Sequence, residues 1–142
     1  MSTTDSPDPT AALNEVLSEV IDMVLDVKQA HLKVPKSHAL YGELDRLFED
    51  LKDWAGLLLD EDRQLGVSPL GSMPSVAGRI PPNLWPGAAN DEEVSRVVGQ
   101  HLGRLTKHVT AALAEQEDEG ARSILADVEQ GLLAHRRALS QI

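Results

Sequence analysis

Apolar residues recur at spacings of three and four in four separate stretches of the chain, and this period constrains the fold more than any other feature. The first stretch runs from Leu13 to Val34, and the others begin at Leu40, Val94 and Ile124. A period near 3.6 residues places apolar side chains along one stripe of an α-helix, and such stripes bury one another in a bundle. We therefore predict four helices, at about 10–34, 38–65, 91–117 and 120–140.

The predicted helix ends carry residues that commonly start or stop helices. Asn90 followed by Glu93 has the spacing of a capping box, in which each side chain accepts a backbone N–H of the first turn. Ser37 can cap the second helix, and Pro35 cannot continue the first. Short links at the first and third helix ends make neighbouring helices antiparallel.

One long segment separates the second predicted helix from the third. Residues 66–90 contain five of the eight prolines, together with several glycines. Loops of this length are uncommon unless they pack or serve a function. The order is thus helix, short link, helix, long crossover, helix, short link, helix, as in four-helix bundles with one crossover. Residues 1–9 are predicted to form a flexible tail, which leaves 10–142 as the bundle domain.

Composition restricts the classes of function. A chain of 142 residues with 42% hydrophobic residues suits one domain with a real core. The net charge of -10 and the absence of Lys and Arg from residues 1–9 predict that DNA binding is absent or weak. The absence of cysteine excludes disulfides, thiolate metal sites and cysteine nucleophiles. With no signal peptide and no apolar run long enough to span a bilayer, we expect a cytoplasmic protein without a membrane partner.

Two short motifs resemble parts of a known family. The first predicted helix ends in Lys28-Gln29-Ala30-His31, and the second leads into Leu65-Gly66-Val67-Ser68-Pro69-Leu70-Gly71. In this order, and in a bundle with a single crossover, they resemble the two most recognisable stretches of the Dps mini-ferritins. The resemblance covers roughly residues 11–140 and implies an all-α, ferritin-like four-helix bundle. It also implies a shell of twelve identical subunits that oxidises iron between two-fold-related subunits and stores it in the cavity.

The resemblance further implies an iron site with ligands from two subunits. His31 matches the family's histidine on the first helix, and Asp45 matches its aspartate on the second. The family's second histidine falls on Tyr41, and the aspartate and glutamate that a partner subunit provides fall on Gly56 and Asp60. Fe(II) takes nitrogen and oxygen ligands. The metal ligands expected here are therefore His31, Asp45 and the shortened substitute Asp60.

Two further assignments depend on the same resemblance. If the alignment slips, Asp62 replaces Asp60 as the carboxylate near the end of the second helix. The acidic run after the third helix lies where the family's shells line their three-fold pores, and the candidate pore-lining residues are Glu117, Asp118 and Glu119. A solvated break between two helices explains this run equally well.

Three interpretations of function remain open at this stage. The first is a Dps-like shell that binds, oxidises and stores iron with a degenerate ferroxidase site. The second is the same scaffold without ferroxidase activity, acting in assembly or interaction, with His31 as a hydrogen-bonded core residue. The third is a DinB-like, metal-dependent bundle, which requires His31, His101 or His108, and His135 to converge within one subunit.

Overall fold

The computed structural model describes residues 9–64 and 90–142, and it folds them into four α-helices. These are α1 at Pro9–Lys33, α2 at Ala39–Gln64, α3 at Asp91–Glu115 and α4 at Glu119–Ser140. No strand occurs within these residues, so the all-α prediction is confirmed. Residues 1–8 and 65–89, which hold almost all of the predicted tail and crossover, lie outside the described residues.

The four helices pack in a closed ring around one core. α1 packs on α2 and α3, and α4 packs on the other sides of α2 and α3. The predicted apolar stripes face inwards, and leucine provides most of the core volume because the chain is poor in aromatic residues. The largest fully buried side chains are Leu13, Leu17, Met23, Leu40, Leu44, Leu47, Leu51, Leu58, Leu102, Leu105, Leu125 and Leu132.

The helix starts agree with the predictions for α3 and differ slightly for α2. Asn90 Oδ1 accepts the backbone N–H of Glu93 at 2.8 Å, so Asn90 is the predicted cap of α3. α2 begins at Ala39, where the Tyr41 N–H donates to the carbonyl of His38 at 3.0 Å. His38, and not Ser37, therefore stands immediately before α2.

α3 ends two residues earlier than predicted. Gln116 has an extended backbone, with φ -79° and ψ 130°, and this ends the helix at Glu115. The Arg122 guanidinium donates to the carbonyls of Leu113 and Gln116, both at 2.8 Å, and closes the turn. Asp118 then caps α4 by accepting the Ala121 N–H at 2.9 Å. Of the helices in the described ranges, none is both long enough and apolar enough to cross a membrane.

Candidate metal centre on α1 and α2

His31 lies in the last turn of α1 and packs against the start of α2. Its side chain is only 7% exposed, and its Nε2 lies 3.7 Å from Oδ1 of Asp45. That distance is too long for a hydrogen bond, and Nε2 is buried without another partner. Buried polar atoms in proteins almost always have a partner. His31 therefore has a free nitrogen that faces a carboxylate.

Tyr41 completes this cluster. Its ring lies against the imidazole of His31, with ring centroids 4.0 Å apart and a tilt of 32°. Tyr41 and Asp45 are one turn apart on α2 and therefore share a face of that helix. The Asp45 side chain is 56% exposed, so the cluster opens to solvent on that side. The structure thus brings together His31, Tyr41 and Asp45.

The positions assigned to a partner subunit lie further along α2. Gly56 is exposed, and a Cβ added there would meet no atom within 4 Å. Asp60 is also exposed and lines a shallow depression with Arg63 and Gln64. At 1.5 Å per residue, Asp60 is about 22 Å along the helix from Asp45. Asp60 and His31 of one chain are therefore not brought together, and residues 9–64 and 90–142 contain no group of three His, Asp or Glu placed to hold a metal.

Asp62 faces the opposite way from Asp60. It is fully buried, and neither carboxylate oxygen has a hydrogen-bond partner. Burial raises the pKa of Asp62 from 3.8 to about 6. Because Asp62 is enclosed within its own bundle, the slipped alignment that makes it a ligand facing a partner does not fit the structure.

The other histidines pair with carboxylates in separate places and do not converge with His31. The pairs are His38 with Asp91 at 2.7 Å, His101 with Asp26 at 2.8 Å, His108 with Glu19 at 2.5 Å, and His135 with Glu43 at 2.9 Å and Asp50 at 2.7 Å. The pairs of His101, His108 and His135 each join two different helices, and His38 joins the link before α2 to the start of α3. The convergence that the DinB-like interpretation requires is absent from the described part of the chain.

His135 lies at the centre of a charged cluster that the sequence analysis did not identify. It binds Glu43 and Asp50 of α2, and Arg46 binds Glu43 at 2.7 Å. Burial acts to raise the pKa of Glu43, but the hydrogen bonds from Arg46 and His135 outweigh it, so this pKa lies below its ordinary value. The sequence feature that indicates burial of Glu43 is its position beside Leu44 and one turn from Leu40 and Leu47, on the buried side of α2.

A basic groove between α3 and α4 is the second feature that the sequence analysis missed. It has a volume of about 1210 Å³, and its charged lining residues are Arg96, Arg104, Lys107 and Arg136. None of these four cations has an ion pair with another described residue. The acidic residues Glu117, Asp118 and Glu119 are exposed at the α3–α4 turn.

The four helices form a ring in which α1 and α4 each pack on both α2 and α3, so α2 and α3 stand diagonally opposite one another. Consecutive helices in this arrangement need a long connection, as in ferritin-like four-helix bundles. No family model matches the sequence, and no curated protein matches it. Among solved structures, the chain is similar to Dps from Microbacterium arborescens in its high iron form, with a TM-score of 0.78. The match covers 95% of this chain and 94% of that one at 20% sequence identity. The predicted fold and the resemblance to Dps are therefore confirmed, and at this identity the likeness concerns the fold alone.

Proposed function

We propose that this protein is a cytoplasmic, Dps-like iron-binding protein whose sites form between two copies of the chain. His31 and Asp45 of one copy would hold iron together with Asp60 of another copy. The observation that carries the proposal is the buried Nε2 of His31, which has no hydrogen-bond partner and lies 3.7 Å from Asp45. An imidazole nitrogen and a carboxylate are the ligands that iron takes in proteins.

The exposed face of α1 and α2 supports the participation of a second copy. Asp60 lies too far along α2 to reach His31 of its own chain. One turn before Asp60, the space beside Gly56 is open, because a Cβ added there would meet no atom within 4 Å. Of the five large apolar side chains exposed in the described residues, three lie on these two helices: Leu32, Leu57 and Leu59. Leu57 lies next to Gly56 in the sequence, whereas Leu59 points to another side of α2, so the exposed leucines do not form a single face. The assembly that the resemblance implies is a homo-oligomer of twelve copies.

Iron enters this proposal as substrate. Fe(II) would bind at the shared site, give up one electron to dioxygen and pass as Fe(III) to the interior of the shell for storage. Glu117, Asp118 and Glu119 would line a pore and attract cations. Because Tyr41 replaces an imidazole and Gly56 removes a carboxylate, water must fill ligand positions, and oxidation is expected to be slow.

Stopped-flow oxidation of Fe(II) in air tests the proposal, with the oligomer mass measured by light scattering. We expect an oligomer that oxidises iron slowly. In His31→Ala, which lacks one ligand, we expect the oxidation rate to be at least about tenfold lower, which corresponds to an activation free energy higher by ~1.4 kcal/mol or more. His108→Ala is the control, because its side chain is 58% exposed and lies on α3, away from α2. The double variant Gly56→Asp with Tyr41→His restores two ligands and should oxidise iron faster.

Two results would contradict the assignment. If His31→Ala oxidises iron as fast as the parent protein, the site lies elsewhere. If the restored variant gains no activity, the ligands are not held together by a second copy.

A scaffold without ferroxidase activity is the second candidate. The observation that favours it is Gly56, which offers no ligand where the family has a carboxylate. An oligomer of defined mass that neither binds nor oxidises iron would establish this candidate over the first.

A further inference from the structure

We infer that the cluster at His31 retains trivalent iron, with the phenolate oxygen of Tyr41 as a ligand beside His31 and Asp45. The inference deepens the proposed function, on which it rests, because it states which oxidation state of iron the same site holds. Tyr41 stands where the family has a histidine. This one substitution in the family's ligand set therefore determines which oxidation state of iron the site holds.

The position of Tyr41 is set by both helices. Its backbone N–H donates to the carbonyl of His38 at 3.0 Å, which places Tyr41 in the first turn of α2. Its ring packs on the imidazole of His31, with the centroids 4.0 Å apart. The phenol hydroxyl has no hydrogen bond to another described residue. Among the described residues, none therefore competes with a ligand for this hydroxyl.

The free nitrogen of His31 is the independent sign that something binds here. The side chain is more than nine-tenths buried, and Nε2 has no hydrogen-bond partner although Asp45 lies 3.7 Å away. Leaving a buried polar atom unsatisfied costs about 1–3 kcal/mol. A cation between Nε2 and the carboxylate of Asp45 would satisfy both groups.

The donor set matches a trivalent cation better than a divalent one. A phenolate and a carboxylate provide two anionic oxygens, and the imidazole adds one neutral nitrogen. Hard oxygen anions bind hard cations most strongly, and Fe(III) is harder than Fe(II). With a histidine in place of Tyr41, the site would lose one negative charge and would hold Fe(III) less firmly.

Binding requires no change in oxidation state. The phenol O–H bond of Tyr41 breaks, its oxygen forms a bond to Fe(III), and the proton passes to solvent. The Fe(III) is either the product of Fe(II) oxidation or a ferric ion that arrives from a soluble complex. The site then holds Fe(III) more firmly than it would with histidine in place of Tyr41, so Fe(III) passes to the interior slowly after each oxidation.

The chain offers an unusually clear test because Tyr41 is its only tyrosine. Any phenolate-to-Fe(III) charge-transfer band in the visible spectrum must therefore come from this residue. We expect such a band to grow and saturate when the full-length protein is titrated with ferric citrate. Ga(III), which cannot change oxidation state under these conditions, should produce an ultraviolet difference spectrum of ionised tyrosine without a visible band.

Two variants separate the ligand role of Tyr41 from its packing role. Tyr41→Phe keeps the ring against His31 and should fold normally by circular dichroism, but it should lose the band entirely. His31→Ala keeps the phenol and should shift the titration midpoint to at least about tenfold higher iron.

The inference is overturned if the parent protein shows no band at saturating Fe(III), or if Tyr41→Phe shows the same band. These outcomes are distinct from failure of the proposed function. A protein that oxidises Fe(II) but shows no band keeps the proposed function and loses this inference. A protein that shows the band but does not oxidise Fe(II) keeps the ferric site and loses the oxidation step.

Discussion

The indole ring of Trp54 on α2 fills the space that a side chain on Gly131 of α4 would need. A Cβ added to Gly131 would lie 2.7 Å from Cη2 of Trp54 and closer still to Cζ2. Trp54 is only 9% exposed and also packs edge-on against His135, with ring centroids 6.1 Å apart. A glycine within a helix costs about 1 kcal/mol relative to alanine. The close approach of Trp54 explains why glycine is needed at this position.

The first prediction compares two glycines in helices. Gly131→Ala should destabilise the protein by about 1–3 kcal/mol, because the rigid, buried ring of Trp54 must move. Gly99→Ala should instead stabilise it by about 0.5–1 kcal/mol, since a Cβ there meets nothing within 4 Å. Urea unfolding of both variants and the parent protein measures the difference. Equal effects of the two substitutions would show that the contact with Trp54 does not constrain α4.

The second prediction concerns the buried carboxyl of Asp62. Its pKa is about 6 in the folded state, against 3.8 for the ordinary group, so the folded protein holds this proton more tightly than the unfolded chain. Stability should therefore fall as the pH rises from about 4 to 6, by up to roughly 3 kcal/mol, and then level off.

Asp62→Asn provides the measurement for this pH dependence. The variant should be more stable than the parent protein at pH 7.5, and the difference should shrink towards pH 4. Asp60→Asn is the matched control, because Asp60 is exposed on the same helix. If both variants show the same pH profile of urea unfolding, the carboxyl of Asp62 is not the source of the effect.

The third prediction concerns Glu43, whose pKa lies below its ordinary value because of Arg46 and His135. A lowered pKa contributes stability above the ordinary value of 4.5, and that contribution is lost as the pH falls through the folded-state pKa. Glu43→Gln should therefore cost about 1–3 kcal/mol at pH 7, since it weakens the buried hydrogen bond to His135 and the partly buried one to Arg46. The cost should nearly vanish in strong acid. Thermal unfolding between pH 2.5 and 7 checks this, and a pH-independent cost would refute the electrostatic explanation.

The fourth prediction is that duplex DNA binds weakly or not at all at ~150 mM salt, where screening is strong. The net charge of -10 favours this outcome, although four cationic side chains line the groove between α3 and α4. A gel shift with the parent protein, Arg136→Glu and Arg137→Glu measures how tightly DNA binds and whether it binds in the groove. Arg136 lines the groove and its neighbour Arg137 does not. Tight binding by the parent protein would contradict the prediction, and its selective loss in Arg136→Glu would locate the DNA in the groove.

Much of the fold and part of the site follow from local patterns in the chain. The apolar period predicts α1, α2 and α4 to within one residue at each end, because burial selects one stripe of each helix. Tyr41 and Asp45 fall on one face of α2 for the same reason, and the Lys-Gln-Ala-His motif places His31 at the end of α1, beside them. The helix bounds and the shared face of Tyr41 and Asp45 depend on residues that are close in the sequence, and the place of His31 follows from the resemblance to Dps.

Contacts between helices that are distant in the sequence depend on how the helices are rotated against one another. Asp60 and Asp62 illustrate this, because two residues differ by about 200° around a helix, and only the packing of α2 shows that Asp62 turns inwards. His135 and Glu43 are 92 residues apart, and no local period predicts that they meet. Gly131 likewise resembles any helix-weakening glycine until Trp54 is found against it. The apolar stripes therefore determine which residues are buried, whereas the rotation and spacing of the packed helices determine which buried polar groups meet.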